Sequence, residues 1–505
     1  FFRSVRTIIL PLLSIASGVG FAFFASQLLF GSIHIFTIVF GASLIGVVID
    51  YALHYAYHFG ETQDTSSKIS LYQALLLSLI TSSIGYGALS FSGLDVLQQV
   101  AVFSVLGLVS AWLCVVALGP VVLSSKQKRY DSLLRQLLSS IIAHLSFVRK
   151  NSALVTIITI LFFGFGFSLL VGKASDNPRG FFEPDPQLLS EEAELQPILS
   201  NLEPATYLVI RGQSEADVYA QLQTLENKLP NVYASLYGAH RIFPSPNNRE
   251  LAYQVNQRVY DEHSVGTNFL RSLNVDDEKI IELSANYRSA VSRRPSASEL
   301  LNGESLPTPP IWYQGTNFQY SFFLLDKSIN RDAIEQYALT NNNLYFIDTI
   351  GMATKAIQSL RQAANWLLII AICLIAILMF IRYRRWQSIG LVIVPIAAVV
   401  ATLTIFALSG IAVSLFHVMA LFLVLGLGMD YVIFIRDLHS DNQDALCAVV
   451  LSALTSLMAF GLLSFSDLPV VKAFGLTVLI GNSINLLGGL LLASYLQRPM
   501  METNK

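Results

Sequence analysis

Long apolar runs separated by short polar turns divide the chain into about ten segments. Segments 7–29, 33–57, 71–91 and 98–122 come first, 153–171 stands alone, and 366–381, 388–408, 414–435, 445–465 and 470–496 complete the chain. Most reach the ~20 residues that an α-helix needs to cross the hydrocarbon of a bilayer. The turns Gly31-Ser32 and Ser92-Gly93-Leu94-Asp95 are so short that the helices they join must run antiparallel. Two stretches break the pattern. In 124–151, Leu133, Leu134, Leu137, Leu138, Ile141, Ile142 and Leu145 recur at helical spacing among polar and basic residues. That suits a helix lying in the membrane interface, and equally a linker packed beneath the bundle. In 172–362, prolines, asparagines and charges concentrate and no run can span a bilayer. Strand-like 205–211, 320–325 and 343–350 accompany helix-like 215–228 and 331–339, with a more helical insert around 250–291, which predicts one small α+β domain.

The expected fold class is therefore a polytopic α-helical membrane protein of about ten transmembrane helices with a pseudo-two-fold repeat and one inserted α+β extracytoplasmic domain. The expected divisions are 1–123 (four spans), 124–151 (cytoplasmic amphipathic linker), 152–171 (one span), 172–362 (the soluble domain), 363–497 (five spans) and 498–505 (a cytoplasmic tail). Arg3, Arg6, Lys126, Lys128, Arg129, Arg149, Lys150, Arg382, Arg384, Arg385, Arg498 and Lys505 all fall on one side if the spans alternate. By the positive-inside rule that side is the cytoplasm.

Composition agrees: of 505 residues, 53% are hydrophobic and only 13% charged, which belongs to membrane proteins rather than soluble enzymes. A net charge of −2 provides no field for nucleic acid, and no phosphate-cradling loop, metal-ligand spacing or hydrolytic constellation is present in the sequence. No metal or cofactor is expected, and an enzyme is not. Cys114, Cys373 and Cys447 all lie in apolar spans, so the soluble domain has no disulfide framework.

The strongest signal is an internal repeat. Gly46-Val47-Val48-Ile49-Asp50-Tyr51 reappears as Gly426-Leu427-Gly428-Met429-Asp430-Tyr431. Thr81-Ser82, Gly87 and Leu89-Ser90-Phe91-Ser92 reappear as Thr455-Ser456, Gly461 and Leu463-Ser464-Phe465-Ser466. The first four spans thus correspond to the last four in the same order, as in halves related by an axis along the membrane normal. The second half carries a further span, a soluble domain and another span before its four. An equivalent upstream part is expected to precede the first half in the whole protein.

An aspartate at the centre of a spanning helix costs roughly 2.5–3.5 kcal/mol on insertion scales, and such residues are functional by default. Burial penalises the charged form of a carboxyl group, and a carboxyl that can be held neutral can bind and release a proton as its surroundings rearrange. Asp50 and Asp430 are the candidate proton carriers. Tyr51 and Tyr431 are placed to hydrogen-bond the opposite half's carboxyl, with Thr81, Ser82, Thr455 and Ser456 as supporting hydroxyls on the next spans. Gly46 and Gly426 would let helices approach closely. The alternative is that these polar groups only tie helices together. His54 shares a helix face with Asp50 as a candidate second relay, but Phe434 stands at its matching position, so a satisfied or interfacial histidine is the preferred reading.

The order of helix, extracytoplasmic domain and five helices resembles the resistance–nodulation–division (RND) superfamily. The Asp50-Tyr51 and Asp430-Tyr431 runs, with Gly46–Tyr55, resemble its MMPL (mycobacterial membrane protein large) branch and related bacterial lipid exporters. The resemblance implies a multi-pass protein of the bacterial cytoplasmic (inner) membrane. It would export lipids or other amphiphiles on the proton-motive force, with membrane lipids and its amphiphilic substrate as partners. A homo-oligomer or a periplasmic partner is compatible with it; nucleic acid is not. Two other functions fit the same residues: a protein-export accessory motor of the same superfamily, and a non-transporting, sterol-sensing-type lipid sensor.

Overall fold

The structure, a computed structural model, describes residues 5–42, 44–59, 65–123, 140, 174–195, 202–293, 296–297, 299, 311–326, 329–437 and 443–496. All of 153–171, and all of 124–151 except Ser140, lie outside the described residues, and with them the fifth span and the amphipathic linker. Two compact units divide the chain: Phe1–Glu183 with Thr354–Lys505, and Pro184–Ala353.

In the first unit the chain opens with α1 (Val5–Phe30), α2 (Ile35–Ala42), α3 (Leu44–Phe59), α4 (Thr65–Ala88) and α5 (Asp95–Val122). The hairpin turns fall where the short polar breaks place them. Gly31 and Gly93 adopt φ of 72° and 79°, the left-handed region that a side chain disfavours.

The second unit holds α6 (Pro186–Leu195), β1 (Leu202–Gly212), α7 (Glu215–Lys228), β2 (Leu236–Gly238), α8 (Pro246–Tyr260), α9 (Val265–Ser272), α10 (Asp277–Arg293), β3 (Trp312–Gln314), β4 (Gln319–Asp326), α11 (Arg331–Thr340) and β5 (Leu344–Asp348). The sheet is antiparallel in the order β2-β4-β1-β5, with β3 also on β4. Alternation along β4 turns Ser321, Phe323 and Leu325 inward. Phe323 and Leu325 meet Val218, Leu222 and Leu225 of α7, and Trp312, in one core. Ser214 starts α7 with a reciprocal capping box to Asp217. Of the aromatic residues in this unit, Trp312 and Phe323 are buried, whereas Tyr313 is exposed. The strands β2 and β3, three residues each, carry no alternation long enough to read from sequence.

His240 of this unit gives a pH dependence. Burial and the neighbouring Arg241 lower it from 6.5 to about 4, so the unfolded chain takes up a proton where the folded chain does not. Stability of this unit is therefore expected to fall as pH drops from about 6.5 towards about 4, with no contribution from His240 above that window. Hydrogen exchange of these peptides in the full chain should accelerate at pH 5 relative to pH 7 after correction for intrinsic rates, and His240→Phe should remove part of that change.

The chain returns to the first unit through α12 (Thr349–Tyr383), which follows β5 without a loop, then α13 (Ile393–Leu408), α14 (Leu415–Asp437), α15 (Gln443–Leu463) and α16 (Pro469–Leu496). Among the described residues, nine spans are long and apolar enough to cross a membrane. Their surfaces sort by environment. Ile8, Leu12, Phe24 and Leu28 of α1 and Trp366, Ile370 and Ile377 of α12 are exposed, as side chains facing lipid are. By contrast every residue from Leu415 to Ile435 of α14 is buried. This helix carries His417 and Asp430, and polar or ionisable residues within a membrane span face the bundle interior rather than lipid. The first half and the second interlock there: α4 packs on α14, and α3 packs on α15.

Candidate functional site

Asp50 on α3 and Asp430 on α14 are each 1% exposed, and Tyr51 and Tyr431 are fully buried. Both acids lie about two-thirds of the way along their spans, Ile35–Tyr57 and Leu415–Asp437, rather than at the midpoint. The repeat puts them in equivalent places, and the interlocked packing brings both to the contact between the halves.

Hydroxyl groups reach Asp430 from the opposite half. Ser78 Oγ donates to Asp430 Oδ1 at 2.6 Å, and Ser82 Oγ lies 3.4 Å and 3.3 Å from Oδ1 and Oδ2. Across the repeat, Ser456 Oγ donates to the Gly46 carbonyl at 3.4 Å, and Ser452 lies beside Asp50. Each acid is thus flanked by a serine-bearing helix of the other half. Tyr51 lies near Asp430 and Ser78, and Tyr431 near Asp50 and Asn482. Each tyrosine lies near the other half's aspartate, but the expected hydrogen bond between them is not formed.

Thr81 and Thr455 differ from their expected supporting role. Thr81 Oγ1 donates to the Ser78 carbonyl at 3.0 Å and Thr455 Oγ1 to the Ser452 carbonyl at 2.8 Å, the local back-bonding that a hydroxyl in a helix readily makes. The serines one turn before Ser82 and Ser456 take the place given to the threonines. Ser78 and Ser82, like Ser452 and Ser456, are four apart and share a helix face. That spacing, repeated in both halves, was the available signal for Ser78 and Ser452. Asn482 and Asn485, both fully buried on α16, were also missed. Asn485 Nδ2 donates to the Val424 carbonyl at 2.7 Å, holding α16 to the Asp430 helix.

His54 is buried and stacks on Phe434, with ring centroids 3.5 Å apart and planes 12° from parallel. The two residues at matching positions of the repeat thus meet each other, which favours packing over a relay. His417, on the same helix as Asp430, accepts from the Ser414 backbone N–H at 3.1 Å and packs edge-on against Phe406.

The glycines act as close-approach points. A Cβ on Gly426 would meet Ser82 Oγ at 3.4 Å and Ser82 Cα at 3.6 Å, and one on Gly46 would meet Phe460 at 3.3 Å and Ser456 Oγ at 3.7 Å. Alanine at 426 is expected to fit with ordinary contacts. Gly426→Leu should push α4 away from Asp430 and cost about 1–3 kcal/mol by overpacking, measurable as a lowered unfolding midpoint of the solubilised protein beside an unaffected Gly426→Ala.

A helical membrane bundle of two repeated halves, with an α+β unit inserted and a buried carboxyl from each half, is the class these features define: the chain is a multi-pass membrane protein. Residues 334–443, which run from α11 through the Asp430 helix, match the family described as protein export membrane protein SecD/SecF, C-terminal. SecD/SecF proteins belong to the RND superfamily. No curated protein matches the chain. Solved structures resemble it over nearly its whole length. They include SecDF in a super-membrane-facing form, with a TM-score of 0.45, and SecDF from Thermus thermophilus, described as a translocon-associated membrane protein, with a TM-score of 0.48. Each is 12% identical, with 97% of this chain and 60% of that chain covered. The chain therefore spans about 60% of the length of these structures.

Proposed function

We propose that the protein is a proton-driven accessory of protein export in the bacterial cytoplasmic membrane, in which proton passage through the Asp50/Asp430 site drives movement of an exported polypeptide. The observation that carries the choice of polypeptide is the match of residues 334–443 to the SecD/SecF family. The proton coupling is supported by two buried carboxyls, one per half, at the junction of the halves. Asp50 and Asp430 bind and release the proton, Ser78 and Ser82 donate to the carboxylate of Asp430, and the tyrosines close the site without adding charge. A potential of 100 mV contributes about 2.3 kcal/mol per proton moved across the membrane, enough to bias such a cycle. The proton gradient is the energy source; the polypeptide and the export machinery are the partners.

Export of lipids or other amphiphiles is the second reading, favoured by the Asp-Tyr run in both halves. The two are separated by one preparation of inner-membrane vesicles carrying the whole protein. Gradient-dependent advance of a secretory polypeptide, with no change in lipid efflux, supports the export accessory. Gradient-dependent lipid efflux with polypeptide movement unchanged supports the exporter instead. If neither depends on the gradient, proton coupling itself fails.

A further inference from the structure

We propose that the basic turn closing α12 holds the phosphate of an anionic phospholipid, with Arg384 and Arg385 as the ligating side chains and the outward stripe of α12 as the bed for an acyl chain. This site is separate from the Asp50/Asp430 pair and stands whether or not the chain moves protons or polypeptides.

The backbone supplies the first observation. Helix α12 ends at Tyr383, and Arg384 follows with φ of 50° and its N–H donating to the Phe380 carbonyl at 2.8 Å. This is the left-handed cap that closes many helices, a position glycine fills far more readily because a Cβ is crowded there. Among the described residues the only other side chain carried at positive φ is that of Asn274, a residue type that visits this region with little difficulty. An arginine held in a disfavoured conformation at a helix end points to a use for its side chain. The basic residues around it divide by what they already hold. Arg382 Nη2 donates to Gln73 Oε1 at 2.8 Å and lies 3.8 Å from Asp437 Oδ2. The Arg436 guanidinium sits 3.9 Å from the centre of the Tyr383 ring, whose hydroxyl donates to Asp437 Oδ1 at 2.7 Å. These groups fasten α12 to α4 and α14. Arg384 and Arg385 stand exposed beside them.

The surroundings present the two chemistries of a phospholipid in order. Ile370, Leu374, Ile377 and Ile381 are exposed at helical spacing, so they form one outward stripe of α12 that runs up to the arginines. Trp386, 77% exposed, packs against Phe380 with ring centroids 4.8 Å apart and marks the level of the membrane interface, where tryptophan is favoured. The guanidinium groups of Arg384 and Arg385 therefore stand at headgroup level, immediately beyond an apolar face. They lie on the side that the basic residues mark as cytoplasmic, and each basic side chain near an anionic leaflet adds to its attraction. A guanidinium grips phosphate oxygens through parallel N–H donors. A zwitterionic lipid brings its own cation to compete for that phosphate, whereas phosphatidylglycerol does not, so charge selects the anionic lipid.

The test uses the full chain in proteoliposomes of phosphatidylcholine with a minor fraction of phosphatidylglycerol, one lipid or the other carrying brominated acyl chains. The Trp386 signal is the fluorescence difference between wild type and Trp386→Phe. Its quenching at matched bromolipid fractions gives a relative association constant, which should favour phosphatidylglycerol by about 25-fold, about fivefold for each arginine. Arg384→Gly and Arg385→Gln should each lower the preference about fivefold, and the double variant should bring it close to unity while brominated phosphatidylcholine still quenches. Arg384→Gly relaxes the cap, so its unfolding midpoint should not fall; a preference lost from a protein at least as stable as wild type separates lipid binding from folding. A preference that survives the double variant would overturn the proposal, because the lipid is then held elsewhere. So would a preference abolished by excess inorganic phosphate at constant ionic strength, which would make the site one for a free anion. A variant inserted in the reverse orientation, read from the side on which a protease reaches the second unit, would overturn it as well, the arginines then serving topology alone.

Discussion

Asp430→Asn is expected to abolish gradient-driven work while leaving the protein folded and inserted. The amide keeps the shape of the carboxyl group and still accepts from Ser78 and Ser82, so packing around this position of α14 is retained. An amide does not take up and release a proton, and positioned proton transfer typically contributes on the order of 10²–10⁴-fold in rate. Gradient-dependent polypeptide movement should fall by at least about a hundredfold, and Asp50→Asn should do the same if the proposed proton path uses both acids. Either variant working at wild-type rate would remove that residue from the proton path. Equal yields of monodisperse wild type and variant would exclude misfolding as the cause of a loss.

The second large effect is on stability, at the segment entering the second unit. Arg361 Nε and Nη2 grip Asp176 Oδ1 and Oδ2 at 2.8 Å and 3.0 Å, with side chains only 15% and 8% exposed. The backbone beside it is fastened as well, since the Ser175 N–H donates to the Val413 carbonyl at 3.2 Å. Arg361→Ala leaves Asp176 buried without its bidentate partner, which typically costs about 3–5 kcal/mol. The midpoint of unfolding should drop accordingly, and Arg361→Met combined with Asp176→Asn should recover much of it, because no buried charge is then left unpaired. A loss below about 0.5 kcal/mol would mean that the pair contributes no more than a surface ion pair.

Much of the site was legible beforehand, for a definite reason. An aspartate inside an apolar run is a local contradiction, visible without any knowledge of neighbours, and its repetition at Asp50 and Asp430 marks a pair. Gly46 and Gly426 stand out only because the repeat places each four residues before an aspartate. The partners were harder. Thr81 and Ser82 are adjacent in sequence yet point their hydroxyls to different groups, one to its own backbone and one to Asp430. Direction on a helix changes by about 100° per residue, so naming a neighbouring hydroxyl is not enough. The i, i+4 pair of Ser78 and Ser82 would have been the better guide. His54, grouped with the supporting polar residues from its place on the Asp50 face, has its ring flat on Phe434, a contact between the halves that no local pattern shows. In the second unit, α7 carries its own boundaries in the Ser214 cap and the amphipathic pattern that follows. By contrast β2 and β3 exist only because the edge of β4 offers them hydrogen bonds.

By itself, the sequence determined the number and length of most spans, the repeat, the inserted α+β segment and the identity of the two buried acids. Each depends on local hydrophobic length or on the cost of a charge within it, and both are properties of a short window of residues. The tertiary structure decided which hydroxyl serves which carboxyl, placing Ser78 against Asp430 across 352 residues of chain. It also decided that α14 is enclosed on every side while α1 and α12 face outward. Those outcomes follow from how α4 and α14, and α3 and α15, pack across the two halves, a non-local arrangement that no single stretch of the chain encodes.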